Sequence, residues 1–137
     1  MGARFGQNRA MTGERLARLS LRFDAIYCVV LGLVVAVTAP FTAQGVALPT
    51  PLLVSVGGAV FVWGTYVWWA SSQKPIRTNA RLVMIANIAA SLGLAATGLV
   101  AETTVLTLAA CALAIDVSAF AVSQGIALRR LKGPAAA

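Results

Sequence analysis

The segment LVMIANIAASLGLAATGLVAETTVLTLAACALAIDVSAFAVSQGI (residues 82–126) holds only two charged residues, Glu102 and Asp116. Two apolar runs lie on either side of Ala101-Glu102-Thr103. At about 1.5 Å of rise per residue, a helix of about 20 residues crosses a hydrocarbon core about 30 Å thick. Both runs meet that length, and a connection this short makes them an antiparallel hairpin of neighbouring helices. Working outward, two more apolar stretches precede the pair. The expected spans are residues 25–43, 52–71, 80–101 and 104–126. Pro49 and Pro51 close the first loop and open the second helix, where a missing backbone donor is harmless. Ser71, Ser72, Gln73, Lys74 and Pro75 make the second loop. Helices are required, because strands in lipid must alternate faces and close into a barrel, and these runs are apolar all round.

The expected fold is therefore all-α: a membrane-embedded, antiparallel four-helix bundle with short loops and both termini on one side. Composition agrees, with 59% hydrophobic and 11% charged residues, against about 45–50% and 25% in soluble domains. Residues 1–24 form a basic cytoplasmic or interfacial segment, 25–126 the transmembrane domain and 127–137 a basic cytoplasmic tail. The halves show no internal repeat, which gives an inverted-repeat transporter no support. Val37 and Ala39 mimic a signal-peptide cleavage site, but Pro40 directly after it argues against removal of the first span.

The net charge of +7 invites a nucleic-acid reading, which the positions of the cations exclude. Arg4, Arg9, Arg15, Arg18 and Arg22 precede the first span; Lys74, Arg77 and Arg81 flank the second loop; Arg129, Arg130 and Lys132 follow the fourth span. The first and third loops carry none. All eleven cations thus fall on one side of a four-span chain, the positive-inside pattern, which predicts the inner (plasma) membrane with both termini cytoplasmic. Tyr66, Trp68 and Trp69, just before the second loop, are expected interface anchors. Ahead of the first span, Leu16, Leu19 and Phe23 make a helical apolar stripe beside Arg15, Arg18 and Arg22. The segment reads either as an amphipathic helix on anionic headgroups or as a plain topogenic flank.

The chain has no histidine and four carboxylates, Glu14, Asp24, Glu102 and Asp116. No phosphate loop, Ser-His-Asp set or cysteine cluster can be assembled, so neither an enzyme, a cofactor nor a metal site is expected. Cys28 and Cys111 fall at different depths and are expected to stay unpaired. Asp116 lies near the middle of its span, where a carboxylate costs about 2.5–3.5 kcal/mol on insertion scales, so a partner inside the bundle is expected. Asn87, on the adjoining helix, is the candidate. Asp116 reads as a proton or cation site, as a contact for another subunit's polar group, or as a protonated or hydrogen-bonded carboxyl that fixes helix register. Asp24, beside Arg22 and level with Arg81 and Arg129, reads as part of an interfacial ion-pair cluster or as a gate. Ala89, Gly93 and Thr97, Ala110, Ala114 and Ser118, and Gly57, Gly58 and Gly64 are small residues suited to close helix packing.

In size and span count the chain resembles small multidrug exporters. Those carry an essential glutamate inside the first span, where this chain has no acid. It is more similar to small, functionally uncharacterised four-helix bacterial integral membrane proteins, on the Arg22-Phe23-Asp24 entry and on Asn87 within the third span. That likeness implies the fold over nearly the whole chain and no activity. The expected role is a non-catalytic accessory or structural subunit of a larger membrane assembly, such as an envelope or lipid transporter. The alternative is a small oligomeric transporter or channel using Asp116. Expected partners are membrane lipids and either another membrane protein or further copies of the chain.

Overall fold

The computed structural model describes residues 2–46 and 48–131; residues 132–137 of the expected tail lie outside them. Four helices account for nearly all of it, and the described residues contain no strand: α1 (Gly2–Val46), α2 (Thr50–Ala70), α3 (Ile76–Leu99) and α4 (Thr104–Leu131). Each contains a segment long and apolar enough to cross a membrane, Thr12–Gln44 in α1 and the whole of the other three. Pro49 and Pro75, both extended, immediately precede α2 and α3. Proline fixes φ and lacks an N–H, so it ends one element and starts the next. Arg129 and Arg130 fall in the last turn of α4, where they complement the helix dipole.

The first helix departs from expectation. The sequence reading separates residues 1–24 from a span starting at 25, whereas the chain is one 45-residue helix, about 67 Å long at 1.5 Å per residue. Residues 14–23 are mostly Arg, Leu and Ala, among the best helix formers, and nothing there interrupts them. Tertiary packing then holds the segment: Ala17, Ser20 and Leu21 are buried, while Leu19 and Phe23 of the expected lipid-facing stripe stay exposed.

The core gathers at one end. Ala17, Leu21 and Ala25 of α1 meet Val67 of α2, Ile76, Ala80 and Val83 of α3, and Ala127 and Leu128 of α4. This is the end bearing the basic residues, and their side chains ring it: Arg15, Arg22, Lys74, Arg77, Arg81, Arg129 and Arg130 are all exposed. Arg18 Nη1 donates to the Ser71 carbonyl at 2.6 Å, tying α1 to the end of α2. Away from this end the molecule is two hairpins. In α1–α2, glycines set the spacing: a Cβ on Gly32 would stand 2.5 Å from Phe61 N, and one on Gly57 would stand 2.6 Å from Ala36 N. In α3–α4, Ser91 and Ser118 hydroxyls meet at 2.5 Å. Helices α2 and α3 scarcely touch, and a cavity of about 520 Å³ lies between the hairpins.

Candidate functional site

Asp24 is the centre of a buried polar cluster. It is 1% exposed, with Asn87 at 4% and Gln124 at 0%, one residue each from α1, α3 and α4. Asn87 Nδ2 donates to Asp24 Oδ2 at 2.6 Å, and Gln124 Nε2 donates to the same oxygen at 2.9 Å. Asn87 Nδ2 also donates to Gln124 Oε1 at 3.2 Å, closing a triangle. Cys28, one turn along α1, directs its Sγ at Asp24 Oδ1 at 3.5 Å. The carboxyl accepts every bond, so two amides from different helices take the place of water around it. Nearby, the Ser20 and Ser123 hydroxyls meet at 2.5 Å.

Two sequence expectations are corrected here. Asn87 does not pair with Asp116; it pairs with Asp24 and Gln124. Equal distances from the hairpin loop put Asn87 opposite Asp116, but Asp116 is turned outward and the buried Gln124 inward, so Asn87 bonds Gln124 instead. Asp24 in turn belongs to no ion-pair cluster. The sole ion pair among the described residues is Arg18 with Glu14 at 2.9 Å, and Arg22, Arg81 and Arg129 are exposed. Because α1 continues through residue 24, Asp24 lies about 9 Å along the helix from Arg18 and inside the bundle.

Asp116 is exposed on the outside. Its one bond is from the Tyr27 hydroxyl, 2.9 Å to Oδ2, and Tyr27 packs its ring on Phe120 with centroids 5.4 Å apart. Asp116 and Gln124 are eight residues apart, which turns a helix about 80° beyond two full turns. Gln124 therefore points inward and Asp116 does not. Gln124 is the site residue that sequence reasoning missed, although its polarity within an apolar span was a visible signal.

The remaining expected residues sit at the basic end. Trp68 and Trp69 are exposed, Tyr66 partly buried against the core, and the Arg22 guanidinium stands 5.8 Å from the Trp68 ring centroid. Cys28 and Cys111 are both free. The small residues of α4 face α3, with Ser118 bonded to Ser91. Those of α3 do not return the contact: Ala89, Gly93 and Thr97 are exposed, and Gly93 has open space where a Cβ would stand.

Asn87 also lines the central cavity, with Tyr27, Cys28, Trp63 and apolar side chains of all four helices. Such a space takes hydrocarbon, and the amide at its edge links it to the Asp24 cluster. Among the described residues, no three His, Cys, Asp or Glu come together. Fold and site together define a four-helix chain with candidate membrane spans, closed at one end around a hydrogen-bonded carboxyl. No family model, curated protein or solved structure matches the chain.

Proposed function

We propose that the protein is a non-catalytic accessory subunit of a larger assembly in the inner (plasma) membrane, with both termini cytoplasmic. The observation that carries this reading is the contrast between the two intramembrane carboxyls. Asp24 is completely enclosed by this chain's own amides, whereas Asp116 is exposed with a single hydroxyl for company. A carboxyl exposed at mid-span costs about 2.5–3.5 kcal/mol on insertion scales, and that cost falls when another polypeptide covers the group. Short loops leave helix faces as the contact surface. The alternative, an oligomeric transporter or channel using Asp116, needs that residue on a pathway. Asp116 is not among the residues lining the central cavity, so such a path would have to run between copies.

The test is purification from native membranes in a mild detergent, with the mass of the particle measured by light scattering. A particle containing one stoichiometric second polypeptide, lost in Asp116→Leu, is the expected result. A monomer in every mild detergent, or a pure homo-oligomer with transport activity, overturns the reading.

A further inference from the structure

We infer that the seam between α1 and α4 is a docking groove for a transmembrane helix of another protein, one that carries a lysine or arginine near its middle. The inference rests on the accessory-subunit reading and names the partner's chemistry. Three independent features support it.

The first is a repeat. Leu16, Leu19, Phe23, Ile26, Val30, Leu33 and Val37 succeed one another at alternating steps of three and four along α1. From Leu19 onward every one of them is at least half exposed. This is the 3.5-residue period of a coiled-coil seam, the pattern that keeps one helix against another over many turns. The opposite side of α1 carries the small residues Ala25, Gly32 and Ala36 and faces α2, so this large-residue seam is what remains for a partner.

The second is a groove. Most of these residues, with Tyr27, Phe120 and Ser123, line a cleft of about 690 Å³ that runs from Leu16 to Val34, about 27 Å along the helix. Its lower end passes the level at which Arg18 bonds Ser71, beyond the last turn of α2. In the proposed orientation Leu16 and Leu19 stand near the membrane edge, where hydrocarbon tails cover large apolar side chains poorly.

The third is charge. Asp116 does not itself line the cleft, but it accepts a bond from the hydroxyl of Tyr27, which lines it about midway, and it lies one turn from the lining Phe120 on α4. All eleven basic residues of the chain lie in or beside the termini and second loop, so a second copy offers no cation at this depth. The counter-charge must come from a different polypeptide. Apolar packing along the seam supplies contact area, and the Asp116 carboxyl selects the partner and fixes its height.

The test uses the full-length protein with a donor fluorophore fused to its C-terminus, reconstituted in phosphatidylcholine vesicles. The acceptor is a leucine–alanine transmembrane peptide with one central lysine, or the same peptide with leucine there. The expected result is energy transfer to the lysine peptide at about three- to tenfold lower peptide density than to the leucine peptide. Asp116→Asn abolishes that preference and leaves leucine-peptide binding unchanged. Tyr27→Phe, which keeps the charge, retains the preference. Val30→Asn, within the seam, weakens both peptides. Equal transfer to the two peptides, or a preference that survives Asp116→Asn, overturns the inference. Transfer between donor- and acceptor-labelled copies of the protein that disappears in Asp116→Asn also overturns it, in favour of self-association. If the lysine peptide fails while a stoichiometric polypeptide still co-purifies and is lost in Asp116→Leu, the groove assignment falls and the subunit reading stands. A monomer that binds the lysine peptide selectively has the reverse meaning.

Discussion

Replacing Asp24 by alanine removes the single oxygen that receives the Asn87 and Gln124 amides. Each buried donor left without a partner costs about 1–3 kcal/mol, so Asp24→Ala is expected to destabilise the protein by about 2 kcal/mol or more. Asp24→Asn retains a carbonyl oxygen that both amides can reach, and its expected loss is within about 1 kcal/mol. Asp116→Leu strands only the hydroxyl of Tyr27, which is itself partly exposed, so its expected cost is below about 1 kcal/mol. Unfolding midpoints in mixed micelles give the order directly. A larger loss at Asp116 than at Asp24 would show that the α3–α4 register is wrong. The sequence alone pairs Asp116 with Asn87 and so assigns the orphaned amide to the Asp116 substitution instead. Residue type told which side chains need partners; it had no means of telling which partner the helix register supplies.

At the level of elements, the α1–α2 hairpin is held by backbone proximity. A Cβ at Gly57 would fall 2.6 Å from Ala36 N and 2.7 Å from the Gly32 carbonyl oxygen, while one at the adjacent Gly58 meets nothing within 4 Å. Gly57→Ala must therefore push two backbones apart, at an expected cost of about 1–3 kcal/mol. Gly58→Ala is expected to be neutral or slightly stabilising, since alanine favours a helix by up to about 1 kcal/mol over glycine. The paired midpoints check this, and equal effects would rule out the close contact. In the sequence both glycines belong to one small-residue group, and Gly32, the counterpart of Gly57, is not singled out. The same holds for α3, whose Ala89, Gly93 and Thr97 face outward. Small residues announce that a close approach is affordable; only the rotation of each helix decides which of them is used.

For the molecule as a whole, the tight end and the basic end coincide. The exposed ring of arginines around it suits anionic headgroups of a cytoplasmic leaflet. Reporter fusions at the C-terminus and in the second loop are expected to report cytoplasm, and fusions near Gln44 or Glu102 the outside. An external C-terminus would refute the proposed orientation. The length of α1 adds a point that span counting does not reach. About half of its 45 residues exceed what the roughly 30 Å of a hydrocarbon core requires, and Ala17 and Leu21, ahead of the expected span, already form part of the bundle core.

The sequence by itself determined the number of apolar helices, the proline-marked loops between them and the clustering of charge, because each depends on local composition and on the length needed to cross a bilayer. It set the starts of the second and third helices late, at 52 and 80 rather than Thr50 and Ile76, and the end of the fourth early, at 126 rather than Leu131. It also marked Asp24, Asn87 and Asp116 as polar groups needing partners. Tertiary structure decided which of them meet. Hydrogen-bond pairing depends on helix rotation and register, and the apolar pattern of these spans does not by itself say which face meets which helix. The rotation of α4 turns Gln124 inward to Asn87 and Asp24 and leaves Asp116 facing outward.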